Sequence, residues 1–219
     1  MPYKVVFCGG PENGKTTILR EFQTRGYRVL NEVAQELIDE QKIDCGIARP
    51  NIDLSDFQTQ VFARQIEKEK QVEQYPGVVI LDRGMDGVGY CRLGWLPSHP
   101  KGFPRREPFS RAVKKESKEA ILYRLNAEGY GKFIPNIMST RYDLVFNFEP
   151  ISNITKDALN KAQRKEYELK IRIGEVVLDT YMKFGYNPIP VPEFSIEKDE
   201  NIQKRFEFIL GKINKMIKN

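Results

Sequence analysis

The sequence predicts an α/β fold in three layers, with a parallel sheet of about five strands between two layers of helices. Short apolar runs alternate along the 219 residues with segments of helical periodicity, which is the pattern of a parallel sheet with right-handed crossovers. A glycine-rich turn follows the first apolar run, and an aspartate ends the third. Ligands of such folds bind at the carboxyl ends of the strands, so we expect a functional site where these two features meet.

Five segments of strand type account for the sheet, and they lie at residues 5–8, 26–30, 78–82, 142–148 and 188–191. The third is apolar without interruption up to Asp82, as expected of a parallel strand buried on both faces. The last contains Pro188 and Pro190. Because proline cannot donate a hydrogen bond to a neighbouring strand, this segment is predicted at a strand end or at the edge of the sheet.

The predicted helices lie between the strands, at residues 17–22, 33–38, 53–74, around 120–126, from 155 to about 183, and at the C-terminal end. Asp53 can cap the third of these, which should end before Pro76 and Gly77. In the last helix, apolar residues share one face, namely Ile202, Phe206, Ile209, Ile213 and Met216.

Composition limits the class of protein. No apolar run approaches the roughly 18 residues of a membrane span, and a strand so close to the N-terminus leaves no room for a signal peptide. The three cysteines, Cys8, Cys45 and Cys91, are far apart, which favours a reducing, cytoplasmic location over a disulfide framework. With His99 as the one histidine, a structural zinc site is not expected.

The glycine-rich turn has the spacing G-x-x-x-x-G-K-T of the Walker A motif, between an apolar strand and a helix. Its backbone N–H groups and the helix N-terminus can surround phosphate oxygens. Lys15 should reach the β- and γ-phosphates of a nucleoside triphosphate, and the Thr16 hydroxyl should bind Mg²⁺. The residues predicted to bind the nucleotide are Gly9, Gly10, Pro11, Glu12, Asn13, Gly14, Lys15, Thr16 and Thr17.

Asp82 and Arg83 follow the third strand on the same sheet edge. An acidic residue that ends an apolar strand is the Walker B arrangement, and a carboxylate oxygen is a preferred ligand of Mg²⁺. Thr16 and Asp82 are therefore the predicted metal ligands. Arg83 can present its planar guanidinium to a phosphate or to a substrate oxygen.

Glu32 and Arg164 are two further candidates, each with a simpler alternative. Glu32 follows the second strand and can position or deprotonate an acceptor hydroxyl, or it can be a first-turn glutamate that favours the helix dipole. Arg164 lies in a charged segment and can stabilise charge on a transferred phosphoryl group. It can equally belong to a solvated helix face, paired with Glu168.

A basic stretch and a short motif leave the partners open. Residues 101–118 hold seven basic and two acidic side chains, an excess that equals the net charge of +5 of the whole chain. Phosphate-rich ligands, acidic membranes and nucleic acid are compatible with it, although no nucleic-acid recognition module is visible. Residues 160–163 read N-K-A-Q; they lack the aspartate of the guanine-reading N-K-x-D motif, so ATP and GTP both stay open.

Five stretches together resemble a known family: G-G-P-E-N-G-K-T-T, G-Y-R-V-L-N-E-V-A-Q-E-L-I, I-L-D-R-G-M-D, R-Y-D-L-V-F-N-F-E-P and Y-M-K-F-G-Y-N-P-I-P-V-P. The chain resembles the P-loop ATPase/kinase domain family related to the ribosylnicotinamide kinase part of the NadR proteins, and it is similar to the TRPL translocation defect proteins. The resemblance implies one P-loop NTPase domain over residues 1–219. It also implies a helical lid at about 152–172. Residues 92–135 are not matched by the resemblance, and because Pro97, Pro100, Pro104 and Pro108 break up this stretch, we interpret it as an insertion after strand three.

The resemblance also implies roles for individual residues. Lys15, Thr16 and Asp82 serve the triphosphate and Mg²⁺, Glu32 and Arg83 face the acceptor, Asp86 and Arg164 line the substrate side and the lid, and residues 192–195 lie near the base. We expect an ATP- and Mg²⁺-dependent phosphotransferase that acts on a hydroxyl of a small nucleoside-like metabolite, with GTP left open as the nucleotide in place of ATP. The alternative is a nucleotide-dependent regulatory protein that binds an acidic lipid or a protein partner.

Overall fold

The computed structural model describes residues 1–40, 54–94, 141–151 and 160–218, with the backbone alone at 54–59, 91–94, 161, 162 and 166. The described strands are β1 (Tyr3–Gly9), β2 (Arg28–Leu30), β3 (Val78–Asp82), β4 (Leu144–Phe148) and β5 (Ile189–Val191). The described helices are α1 (Lys15–Thr24), α2 (Val33–Glu40), α3 (Leu54–Gln71), α4 (Asp86–Gly94), α5 (Lys161–Lys183) and α6 (Lys198–Lys218). Outside these ranges lie the predicted cap Asp53, the helix at 120–126, the basic stretch 101–118, most of the insertion, and the first part of the lid.

The five strands form one parallel sheet in the order β2-β3-β1-β4-β5. In this register Phe7 pairs with Asp82, and Gly9 pairs with Phe148. The carboxyl ends of the three central strands therefore lie side by side, so that the glycine-rich turn after β1 is next to Asp82. The proline-containing strand β5 lies at one edge, as its sequence predicts.

Alternation along the central strands explains why helices cover both faces of the sheet. On one face, Val6 and Cys8 of β1 pack with residues of α3, α4 and α5, including Phe62, Val88, Val177 and Tyr181. On the other, Val5 and Phe7 pack with residues of α1 and α6, including Ile18, Phe22, Phe206 and Ile209. Burial of a large apolar side chain stabilises the fold by about 1.5–3 kcal/mol, and β3 is buried along its whole length. The three-layer α/β fold is thus confirmed.

Local hydrogen bonds explain where the elements differ from the predicted boundaries. β2 begins at Arg28, because Gly26 has a φ of 85° in the preceding turn. α3 ends at Gln71, three residues before the predicted end, where the Tyr75 N–H donates to the Val72 carbonyl in a turn. None of the described helices is both long and apolar enough to cross a membrane.

The N-K-A-Q segment is a helix cap. The side-chain oxygen of Asn160 accepts a hydrogen bond from the Gln163 N–H at 3.0 Å, and the Gln163 side chain accepts one from the Asn160 N–H at 2.9 Å. This reciprocal pair is a capping box at the start of α5. In the structure, the segment therefore caps the start of α5.

Candidate active site

The glycine-rich turn leaves β1 at Gly9 and enters α1 at Lys15. Gly14 has a φ of 81°, a left-handed conformation that glycine adopts readily, and its carbonyl accepts the first helical hydrogen bond from the Ile18 N–H at 3.2 Å. A Cβ atom at Gly14 would lie 3.1 Å from Ile151 Cδ1 and 3.3 Å from Arg205 Nη1. The turn thus needs glycine at this position for both its conformation and its close packing.

Lys15 is folded onto the turn that it follows. Its ammonium group donates to the carbonyl of Gly10 at 2.6 Å and approaches that of Gly9 at 3.3 Å. Burial, and then the nearby charge of Arg83, lower the pKa of Lys15 from 10.5 to about 8. A buried cation with a lowered pKa would be stabilised by an anion, which is the ligand predicted for this turn.

Thr16 and Asp82 lie together at the mouth of the turn. The Thr16 hydroxyl donates to Asp82 Oδ2 at 2.8 Å. Asp82 is 2% exposed, and its second oxygen, Oδ1, makes no hydrogen bond to any described residue. A buried carboxylate oxygen without a partner is costly, and a hydroxyl beside it adds a second oxygen ligand. This donor set fits Mg²⁺, which takes few protein ligands and keeps oxygens of phosphate and water.

Arg83 connects the turn to two carboxylates. Its Nε lies 2.7 Å from Glu32 Oε1, and its Nη1 lies 3.1 Å from Asp86 Oδ2 and 3.3 Å from the Gly9 carbonyl oxygen. The Arg83 backbone has a φ of 71°, and its N–H donates to the Phe7 carbonyl. One guanidinium group, which follows β3, therefore connects the end of β1 with the first residue of α4 and with the residue before α2.

The carboxylates on either side of Arg83 have different surroundings. Glu32 is 29% exposed at its side chain, and burial raises its pKa, although Arg83 opposes that shift. Asp86 is buried, and its Oδ1 accepts a hydrogen bond from the Tyr181 hydroxyl at 2.7 Å. Asp86 thus holds Arg83 from inside the protein, while Glu32 contacts Arg83 from a partly exposed position.

Helix α5, which includes part of the predicted lid, contacts the turn through Lys170. Its Nζ pairs with Glu12 Oε2 at 2.7 Å. The backbone carbonyl oxygen of Lys170 would lie only 2.8 Å from a Cβ atom placed on Gly10. Helix α5 therefore packs directly against the turn. Arg164, the residue predicted from the sequence, lies exposed near the start of the same helix.

The contacts that three further residues make at this site were not predicted from the sequence. Tyr181 holds Asp86, and Tyr90 lies with its ring centre 5.5 Å from the Arg83 guanidinium carbon. Arg205 of α6 donates to the Asn13 carbonyl at 2.7 Å. The sequence signal at each of these positions is weak, because a tyrosine or an arginine in a helix usually packs against neighbouring side chains or lies at the surface. The segment 192–195, expected near the base, is held by the Asn201 side chain, which accepts from the Phe194 N–H at 2.9 Å.

Comparison with known proteins agrees with this architecture. A protein family described as an AAA domain matches residues 4–198. Among solved structures, a NadR protein in complex with NR has a TM-score of 0.63 at 17% identity over 97% of this chain and 52% of that chain. A NadR protein in complex with NAD and AMP-PNP has a TM-score of 0.56 at 18% identity over 93% and 48%. The chain therefore spans about half the length of these two structures.

A deoxyadenosine kinase from M. mycoides with bound dATP has a TM-score of 0.48 at 17% identity over 96% of this chain and 99% of that chain. None of the curated proteins matches the sequence. The family match and the two NadR likenesses confirm the predicted fold, and they also confirm the family resemblance drawn from the sequence motifs.

Proposed function

This chain belongs to the AAA domain family, and we propose that it is a nucleoside-triphosphate-dependent phosphotransferase that acts on a hydroxyl group of a small nucleoside-like metabolite. One observation carries the proposal. The Arg83 guanidinium contacts the Glu32 carboxylate and, at the same time, the Gly9 carbonyl of the glycine-rich turn. This turn, residues 9–17, is called the phosphate loop below. One arginine thus holds a carboxylate that can take a proton close to the proposed phosphate-binding turn, and phosphoryl transfer to a hydroxyl uses a base positioned in this way.

In this proposal, residues Gly9 to Thr17 hold the triphosphate of ATP or GTP. The backbone N–H groups of the turn and the N-terminus of α1 supply partial positive charge. Lys15 exchanges its hydrogen bond to Gly10 for phosphate oxygens. Because the anion replaces neutral carbonyls around a buried ammonium, binding should raise the lowered pKa of Lys15.

Thr16 and Asp82 would hold Mg²⁺. The proposal is supported by the unpartnered Oδ1 of Asp82 and by the Thr16 hydroxyl beside it. The described residues contain no group of three or more His, Cys, Asp or Glu that could hold a metal. Such a group is not needed by an ion that takes one or two ligands from the protein and the others from nucleotide phosphates and water. Bound Mg²⁺ offsets the negative charge of the phosphate oxygens.

Glu32 is the proposed general base. A glutamate whose pKa is raised toward neutrality takes a proton from a hydroxyl more effectively than an ordinary one. Arg83 orients the Glu32 carboxylate, and Asp86 holds Arg83 in place. Arg164 is assigned to the lid, where a guanidinium can stabilise charge on the phosphoryl group during transfer.

The test is ADP or GDP release from ATP or GTP with a panel of nucleosides, including the ribosylnicotinamide that the family resemblance suggests. At least one nucleoside should stimulate release, and Glu32→Gln should lower that stimulated rate by about 10²- to 10⁴-fold. Glu36→Gln is the matched control: this residue lies one turn further along α2 and pairs with Lys68, so its rate should stay near that of the parent.

Nucleotide binding without stimulation by any nucleoside would contradict the phosphotransferase proposal. It would favour the alternative, a nucleotide-dependent binding protein. The basic stretch 101–118, on which that alternative depends, lies outside the described residues, so no described contact favours it.

A further inference from the structure

The Arg205 guanidinium lies buried beneath the phosphate loop. Arg205 is 1% exposed, although it lies on a helix at the C-terminal end of the chain. Its Nη1 donates to the Asn13 carbonyl at 2.7 Å, its Nε to the Pro192 carbonyl at 2.9 Å, and its Nη2 to the Glu149 carbonyl at 3.2 Å. One side chain thus joins the loop after β1 to the segments after β4 and β5.

The partners of this guanidinium are neutral. Within the described residues its hydrogen bonds go to backbone carbonyls, and no carboxylate forms an ion pair with it. Burial lowers the pKa of Arg205, and the charges of Glu193 and Glu149 only oppose that shift. A buried cation held by neutral acceptors is costly for folding alone, which suggests a use beyond stability.

The hydrogen bond to Asn13 sets the direction of one peptide group. The described peptide bonds are trans, so the carbonyl of Asn13 and the N–H of Gly14 point in opposite directions. Arg205 draws that carbonyl towards α6, and the Gly14 N–H must therefore point away from Arg205. The Asn13 side chain adds a second anchor, because its Nδ2 donates to the Phe148 carbonyl at 2.7 Å.

We propose that Arg205 is a positioning residue for the triphosphate: by holding the Asn13 carbonyl, it keeps the Gly14 N–H directed at the phosphate oxygens. This inference rests on the proposed function, since it assumes that the loop binds a polyphosphate. Arg205 does not touch the reacting atoms and acts through the Asn13–Gly14 peptide. The same side chain keeps the loop in place relative to the ends of β4 and β5.

The experiment is calorimetric titration of the full chain with inorganic tripolyphosphate and, separately, with ATP. Arg205→Met should weaken binding of both by about 10- to 100-fold, the effect expected for loss of a hydrogen bond from a charged group. Arg205→Lys keeps a positive charge, but a single ammonium cannot reach the carbonyls of Asn13, Glu149 and Pro192 together. It should therefore also weaken binding. It provides the test if Arg205→Met does not fold. Ile213→Ala is the control, because it opens a cavity elsewhere under α6 and should lower stability without changing affinity.

A second readout separates positioning from general stability. The Gly14 amide resonance should shift strongly when tripolyphosphate saturates the parent and the Ile213→Ala variant, and it should shift much less in the Arg205 variants. Parent-like affinity, within about twofold, and a parent-like Gly14 shift in an Arg205 variant would overturn the inference while leaving the proposed function intact. Failure of the folded parent to bind tripolyphosphate and ATP would overturn both.

Discussion

The lowered pKa of Lys15 makes a quantitative prediction about stability and pH. In the unfolded chain the Lys15 ammonium has an ordinary pKa of 10.5, and in the folded protein burial lowers it to about 8. Below about pH 8 both states hold the proton, so the cost of burying the charge is fully present. Between about pH 8 and 10.5 the folded protein releases the proton first, and stability therefore rises with pH.

Proton linkage gives the size of this effect. With pKa values of 10.5 and about 8, the contribution of Lys15 to the free energy of unfolding rises by about 2 kcal/mol between about pH 7 and 9.5. Other buried groups change stability in the opposite direction: burial raises the pKa values of the Cys8 thiol and the Tyr142 and Tyr181 hydroxyls. The two tyrosines are present in both the parent and a Lys15→Met variant, so they cancel when the two are compared. The Lys15 charge lowers the pKa of Cys8, but burial is the largest cause and holds that pKa well above its ordinary value, so the folded thiol stays protonated in both proteins.

The assay is urea-induced unfolding of the nucleotide-free protein, followed by circular dichroism at several pH values in this range. The stability of the parent minus that of Lys15→Met should increase by about 2 kcal/mol from the lowest to the highest pH. Lys15→Met should also bind neither ATP nor tripolyphosphate. If this difference in the free energy of unfolding stays constant within about 0.5 kcal/mol across the pH range, burial of the charged Lys15 ammonium does not destabilise the folded protein as assigned, and the reasoning is wrong.

Two further predictions concern the carboxylates. Asp82→Asn removes a buried carboxylate whose Oδ1 makes no hydrogen bond to a described residue. This variant should have an unchanged unfolding temperature or one raised by up to about 4 °C. It should also abolish any tightening of ATP binding by Mg²⁺. A lower unfolding temperature with that tightening retained would contradict the assignment. Tyr181→Phe removes the hydroxyl that donates to Asp86 Oδ1 and accepts from the Met85 N–H. It should lower the free energy of unfolding in urea by about 1–3 kcal/mol, and an unchanged value would show that Asp86 does not need this partner.

Much of the fold could be predicted because its signals are local. The apolar run that ends in Asp82, the glycine spacing before Lys15 and the prolines of the last strand each depend on residues close together in the chain. Their consequences are a buried strand, a tight glycine-rich turn predicted to bind phosphate, and an edge strand, and these follow from backbone chemistry that needs no distant partner. Helix ends were less predictable, as at Gln71, because turns that extend a helix share its periodicity.

The sequence by itself determined where the glycine-rich turn lies, why it is predicted to surround a phosphate, and which acidic residue lies next to it. Only the tertiary structure decided which side chains hold that turn in shape. Arg83 meets Glu32 and Asp86, and Arg205 reaches the Asn13 carbonyl from 192 positions away. Such contacts depend on the order of the strands and on how α6 packs against α1 and the sheet. The interaction energy of a charged side chain depends on the three-dimensional surroundings in which folding buries it, and no local pattern along the chain records those surroundings.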